Sequence, residues 1–372
     1  MKTKILFLIG SFGVGGKERQ LAEIIKNLPK DSFDVFMFTK SLKAHYLSQD
    51  EINNLISGIY IIERNNFKLK DIFALVKFID QTKPDVVFSF STTLAHFSLV
   101  AKLLCNTKFR LINGSIRSAP ATHSFSSRLE CILYNLYATV VANSQAGLKS
   151  FGQFNKKGRY VLYNGFNYSR ITLNDKAKAK KDSIFSENRF SVLMVSSLRK
   201  DRSKDPLTFV KTAMHCMQLD SNIDFYLAGD GERRSEIEQY IQHNNIHNLT
   251  LLGNRSDVEK LLAAADVSVL TSKTEGISNS ILESMACGTP VIATSMGGTP
   301  EIIENEKSGF VTPFEDYKKL AEKIIYLKNN PIISEQFSNR GQQIAHEKFS
   351  INTMIDSFSN IVTNTSTNQH LS

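Results

Sequence analysis

Short apolar runs alternate with longer amphipathic stretches along almost the whole chain, and this alternation limits the fold more than any other feature. A short apolar run between turn residues reads as a buried strand. A stretch with apolar positions every three or four residues reads as a helix with one buried face. Strands are expected at 5–9, 35–39, 58–62, 86–90, 109–113, 140–142 and 160–162, with helical patterns such as 19–28, 71–82 and 126–137 between them. The stretch 167–189 is polar, lysine-rich and without strand signal, so it reads as a connection. The alternation then resumes, with strands at 191–196, 224–228, 250–252, 267–270, 290–293 and 309–311 and helices at 206–217, 235–244, 258–264 and 317–328. Strand–helix–strand repetition builds parallel sheets with helices on both faces, because parallel strands need a crossover between them.

The expectation is therefore an α/β chain of two doubly wound, Rossmann-like domains, 1–167 and 168–349. A last amphipathic segment, about 350–362, has no strand after it and is expected to pack back on the first domain. A length of 372 residues is too great for one ordinary core and suits two. Apolar residues at 42% can fill both cores, and 22% charged residues is ordinary for a globular chain.

The formal net charge of +9 favours anionic partners. The densest basic run, Lys176, Lys178, Lys180 and Lys181, is interrupted by alanines and flanked by Asp175 and Asp182, so it reads as a solvated linker or helix face. No zinc-finger or RNA-binding pattern is present, which argues against nucleic acid as the partner. Cys105, Cys131, Cys216 and Cys287 are far apart and form no CxxC pair, as expected for reduced thiols in a cytoplasmic protein rather than a metal site. The apolar start at 2–10 runs into a glycine turn and then Lys17, Glu18 and Arg19, so it reads as a first buried strand rather than a signal peptide. No apolar stretch is long enough to span a bilayer.

In open parallel sheets, ligands bind at the carboxyl ends of the strands. Three loops placed there carry chemistry. The first, Gly10 to Arg19, includes Gly13, Gly15 and Gly16. Glycines let a ligand approach the backbone, and the following helix start offers amides to an anion. Its spacing is not that of a dinucleotide fingerprint, and a plain strand-to-helix turn accounts for it as well. The second loop, 197–206, carries Arg199 and Lys204 ahead of an Asp205 N-cap and Pro206. An arginine fork and a lysine point charge together suit a diphosphate, and Arg202 is an alternative to Arg199. The third loop, 274–290, puts Glu275 before a helix that is expected to start near Ser278 and stop at Gly288. In this helix Ile281, Leu282, Met285 and Ala286 form the buried stripe and Glu283 lies off it. Gly276, Ile277, Ser278, Asn279 and Ser280 would bring backbone amides to a diphosphate, and two acids beside an anion make sense if they bind hydroxyl groups.

With these residues in place, the sequence resembles the retaining glycosyltransferases of family 4, also called glycosyl transferases group 1, which have the GT-B fold. The resemblance rests on Glu275 and Glu283 as an E-x7-E element within S-K-T-E-G-I-S-N-S-I-L-E-S-M-A-C-G-T-P. It also rests on Gly15-Gly16, Asn143-Ser144, Asn164-Gly165, Ala228-Gly229-Asp230-Gly231 and Gly297-Gly298-Thr-Pro-Glu301, in that order. The family usually has glycine before its phosphate-loop arginine, where this chain has Ser197-Leu198 before Arg199. The resemblance implies that the two domains face each other across a cleft. It implies that Glu283 binds the donor ribose, Glu275 contacts the sugar, and Arg199 and Lys204 stabilise the leaving diphosphate with amides near 278–280. It places Gly16 on the phosphate side, His123 near the sugar and Arg117 towards the acceptor.

The expected activity is metal-free transfer of a sugar from a nucleotide sugar, such as a UDP- or GDP-sugar, to a glycan or lipid-linked acceptor. Surface-polysaccharide or glycolipid assembly is the expected setting, with peripheral contact at an anionic inner membrane face. The competing readings are a non-catalytic nucleotide-sugar binder and a nucleotide-sugar epimerase of the same architecture.

Overall fold

The computed structural model describes residues 1–43, 45–63, 66–122, 124–171, 176–200 and 203–363. The chain forms two compact units. The first comprises Met1–Arg117, Thr122–Gly165 and the helix Ile351–Thr363; the second comprises Ser118–Ala121 and Phe166–Ser350. The expected 167/168 boundary thus falls two residues after the division, and the short piece 118–121 groups with the second unit.

In the first unit seven parallel strands lie in the order β3-β2-β1-β4-β5-β6-β7. They are β1 (Thr3–Ile9), β2 (Phe33–Thr39), β3 (Gly58–Ile61), β4 (Val86–Ser89), β5 (Arg110–Ile116), β6 (Thr139–Ala142) and β7 (Arg159–Val161). β1 pairs with both β2 and β4, with Ile5 opposite Val35 on one side and Val86 on the other. A parallel strand flanked on both sides is covered on both faces, so it reads as a continuous apolar run; Ile5 to Ile9 are all fully buried. The helix Ile351–Thr363 closes one face: Phe358 packs on Phe7 at 5.8 Å and Phe88 at 5.4 Å, and Arg110 donates to the carbonyls of Ile361 and Val362 at 3.0 and 2.8 Å.

The single helix expected at 126–137 is instead a helix Phe125–Leu133 and a separate 3-10 turn Tyr134–Leu136. Tyr134 is the reason. Its ring is buried against Phe151 at 5.5 Å and its hydroxyl lies 3.1 Å from Ser115 Oγ, which turns the chain inward.

The second unit is a six-stranded parallel sheet in the order β10-β9-β8-β11-β12-β13. Its strands are β8 (Phe190–Val195), β9 (Ile223–Ala228), β10 (Leu249–Gly253), β11 (Val267–Leu270), β12 (Val291–Thr294) and β13 (Gly309–Thr312). The connection expected to be featureless holds a 3-10 turn, Tyr168–Arg170, and a short helix, Lys176–Lys181. The lysine run is not wholly solvated: Lys180 Nζ binds Asp266 at 2.6 Å, and Asp266 in turn accepts from the backbone and hydroxyl of Ser191.

In each sheet the chain leaves its first strand in one direction and later returns on the other side. The reversal lies between β1 and β4 in the first unit and between β8 and β11 in the second. Such a switch point leaves a crevice at the carboxyl ends of the two strands, and loops there meet a ligand.

Candidate active site

In the second unit, the loops after β8, β9, β11 and β12 are stitched together at the switch point. The loop after β8 binds the loop after β9 through Leu198 N to Asp230 O and Arg233 N to Leu198 O, both 2.9 Å. A Cβ on Gly229 would stand 1.9 Å from the Ser196 carbonyl oxygen, which explains glycine there and fixes the approach that carries Arg199. Arg199 itself is exposed at the tip. Further along, Asp205 N bonds Thr271 O at 3.0 Å, and Lys273 N bonds Ser203 O at 2.8 Å. Lys204 is thereby set directly opposite Ser272.

That register brings Lys204 and Glu275 together. Lys204 Nζ donates to Glu275 Oε1, and Ser272 Oγ donates to the same oxygen at 2.7 Å. Glu275 Oε2 has no partner among the described residues. The sequence reading gave Lys204 to a diphosphate and Glu275 to a sugar, separately. The structure pairs them, because the loop after β8 runs antiparallel to the end of β11. Glu275 is 8% exposed, and its backbone is held too: its carbonyl accepts from Ala119 N at 3.0 Å and lies against Gly297.

Glu283 sits on the helix Asn279–Ala286. The sequence placed it off the apolar stripe, yet it is 4% exposed, as buried as the stripe itself. Arg170 accounts for the difference. Its Nη1 lies 3.9 Å from Glu283 Oε1, its Nη2 donates to Glu259, and its guanidinium covers the Phe166 ring at 5.4 Å. One turn on, burial and then the Glu283 charge push the Cys287 thiol up to about 12, against the pull of Arg170.

The helix begins at Ser278 as expected, but the Ser278 hydroxyl does not cap it; Ser278 Oγ lies 3.0 Å from Ser280 Oγ instead. A helix start not capped by its own N-cap side chain can turn its first amides to an anion. Gly276 and Ile277 are buried in the loop leading into it, and Asn279 and Ser280 are half-buried in its first turn.

In the first unit, Gly15 is the N-cap and Gly16 the first residue of the helix Gly16–Asn27, in the loop after β1. Arg117 follows β5 directly. His123 and Arg202 lie outside the described residues. Among the described residues no group of three His, Cys, Asp or Glu is arranged to hold a metal ion, and no helix is long and apolar enough to cross a membrane.

Sequence reasoning missed Arg170 and Ser272, and it noted Gly297 in a matching stretch without seeing its contact with Glu275. Ser272 stands three residues before Glu275, a spacing that lets a hydroxyl reach a carboxylate in a tight loop. Arg170 had no local signal, since its partners are Glu259 and Glu283.

These two doubly wound halves, with paired acids and cations on the strand-end loops of the second, are those of a GT-B glycosyltransferase. The Glycosyltransferase Family 4 model matches residues 14–170 and the Glycosyl transferases group 1 model matches 175–344, so the chain belongs to this family. It is 27% identical over 203 residues to N-acetyl-alpha-D-glucosaminyl L-malate synthase of Bacillus anthracis, a match covering 54% of this chain and 52% of the synthase, about half the length of that relative. It is 25% identical to a Campylobacter jejuni alpha-1,4-N-acetyl-D-galactosaminyltransferase acting on a diphospho-undecaprenol-linked glycan, over 91% of this chain and 93% of that protein. Among solved structures, Anabaena HepE in complex with UDP-glucose superposes with a TM-score of 0.81 at 23% identity, covering 96% of this chain and 98% of that one.

Proposed function

We propose that the protein is a retaining, metal-independent glycosyltransferase that moves a sugar from a UDP- or GDP-sugar to a glycan or lipid-linked acceptor in surface-polysaccharide or glycolipid assembly. The observation that carries this reading is the Lys204–Glu275–Ser272 cluster at the switch point of the second sheet, beside the helix start that leads to Glu283. An ammonium has three N–H groups. One of those of Lys204 goes to Glu275, and the others are available to a diphosphate. Glu275, with Oε1 already bonded, offers Oε2 to a sugar hydroxyl. Glu283, held by Arg170, accepts from ribose hydroxyls.

The hard step is loss of the nucleoside diphosphate, whose charge grows as the glycosidic bond breaks. Arg199, Lys204 and the amides at 278–280 meet that charge without having to reorganise, and each such donor is worth about 3 kcal/mol, a hundredfold or more in rate. Fixed cations in this role supply what a divalent ion supplies elsewhere, which supports the metal-free reading. The alpha linkages in the relatives' names support retention for a donor that is itself alpha-linked, as UDP-glucose is.

The membrane-contact reading draws support from the helix Phe125–Leu133, none of whose described side chains is buried. Phe125 is 88% exposed, and Leu129, Ile132 and Leu136, at helical spacing from it, are exposed as well, with exposed Arg128 beside them. An apolar stripe next to a cation, on a chain of net charge +9, fits an anionic lipid surface. The protein is expected to pellet with phosphatidylglycerol vesicles at low salt, less so at high salt, and less after Phe125→Ser; equal pelleting of the variant refutes this face.

The reaction itself is tested by incubating the purified protein with a panel of nucleotide sugars. Release of nucleoside diphosphate from one of them, strengthened by an acceptor extract, is the expected result. Tight nucleotide-sugar binding with no turnover in any acceptor extract would make the protein a binder instead.

A further inference from the structure

At the other end of the second sheet from the candidate active site lies a cavity of about 630 Å³. It sits at the amino ends of β8, β11 and β12: Phe190 begins β8, Asp266 directly precedes β11, and Gly288 stands in the turn before β12. Its volume is within the range of small-molecule sites, about 300–1,000 Å³. One wall is a stripe of the helix Pro331–Phe349. Pro331, Ser334, Glu335, Ser338, Asn339 and Gln342 recur every three or four residues and so share one face. Ser338 Oγ donates to Gly288 O at 2.5 Å and ties this face to the turn after the helix that carries Glu283. Gly288 has φ +75°, and a Cβ there would stand 2.8 Å from Gln342 Nε2, so glycine makes the room that Gln342 occupies.

The charged groups of the lining cancel, Lys176 and Lys328 against Asp266 and Glu335. Lys328 is moreover paired with Asp220, and Asp266 with Lys180. A charged ligand therefore meets no opposite excess to offset its desolvation. What the helix face leaves available is Ser334, Asn339 and Gln342, whose side chains have no hydrogen-bond partner among the described residues. A hydroxyl and two amides each donate and accept, and so match a group that also does both. The remaining lining is apolar, with Ile171, Phe190, Ala263, Cys287 and Leu327. A ring with hydroxyls on its rim and C–H groups on its faces suits both kinds of surface.

We propose that this cavity is a second ligand site, for a neutral sugar, separate from the loops that serve the donor. The sugar is either a free ring or one unit of a glycan chain, since both present the same hydroxyls and C–H faces. The site goes beyond the transferase reading and does not depend on it.

The test titrates methyl glucoside, N-acetylglucosamine and maltose by saturation-transfer NMR, with glucose 6-phosphate and glucosamine as charged counterparts. UDP or GDP, whichever raises the wild-type melting temperature, is kept at saturation so that the donor site is filled. If neither does, the donor reading fails and the sugars are titrated without nucleotide. At least one neutral sugar is expected to bind the wild type. Asn339→Ala combined with Gln342→Leu should weaken it about tenfold or more, the worth of two neutral hydrogen bonds, with nucleotide affinity unchanged. Ser334→Trp, which fills the cavity from a half-buried position on the helix, should abolish it and decides alone if the double variant does not fold. Maltose binding more tightly than methyl glucoside assigns the site to a glycan chain, and equal binding to a single ring. Sugar binding that is equal in the variants puts the sugar elsewhere and overturns the proposal. No binding of any neutral sugar to the wild type, or tighter binding of a charged counterpart, overturns it as well.

Discussion

Lys204 Nζ and Ser272 Oγ converge on one oxygen of Glu275, so the cation proposed for the leaving group and the acid proposed for the sugar form one hydrogen-bonded unit. Groups in direct contact are not independent, and their losses do not add. Lys204→Met and Glu275→Gln are each expected to lower kcat/KM by about a hundredfold, and the double variant by clearly less than the product of the two. A double-mutant cycle on kcat/KM checks this. Strict additivity would mean that the pair does not act together in the transition state.

Gly297 supports the same unit from beneath. Its φ is +55°, and a Cβ there would stand 1.8 Å from the Glu275 carbonyl oxygen. Gly297→Ala is expected to cost about 2–4 kcal/mol of stability, read as denaturant midpoint, and to lower transfer further by moving Glu275. Gly341→Ala, within the helix Pro331–Phe349 and with its nearest foreign atom at 3.5 Å, is the contrast. It should be neutral or gain up to about 1 kcal/mol. Equal effects at the two positions would remove Gly297 from any role at the site.

The strands were legible because buried parallel strands leave unbroken apolar runs, as at Ile5–Ile9, and the glutamates because an acid on each side of Gly276 and a helix start is an unusual arrangement. What escaped depended on distance along the chain. Arg170 lies 89 residues from Glu259, and no local pattern links them. Lys204 and Glu275 were both visible, but their contact follows from the antiparallel register of Lys204 with Ser272, which only the folded sheet sets. Tyr134 broke an expected helix for the same reason: its hydroxyl finds Ser115, nineteen residues earlier.

Glu283 and Arg170 separate binding from stability. Glu283→Gln leaves Arg170 still paired with Glu259, so the fold should hold, while the charge-assisted bonds proposed to the donor ribose would be lost. Nucleotide affinity is expected to fall about 10- to 100-fold by calorimetry, the worth of one hydrogen bond to a charged group. Arg170→Met removes the guanidinium from between two acids and should cost about 1–3 kcal/mol in denaturant midpoint, less than for a fully buried pair because Arg170 is partly exposed. Unchanged nucleotide affinity in a folded Glu283→Gln would take the ribose role from this residue.

A metal-free mechanism makes a sharper demand than survival in chelator. If Arg199, Lys204 and the amides at 278–280 carry the leaving charge, excess EDTA should leave turnover within about twofold of its starting rate. Magnesium should not rescue Lys204→Met either, because the lysine holds Glu275 and on this reading also the diphosphate, whereas an ion would have to recruit Glu275 as a ligand and free it from Ser272. Loss of one such preorganised donor is worth about 3 kcal/mol, a deficit large enough to see any rescue clearly. Initial rates of wild type and Lys204→Met in EDTA, and again with millimolar magnesium, make the comparison. An EDTA-sensitive wild type restored by magnesium would assign the charge to a bound ion and reduce Lys204 to positioning Glu275.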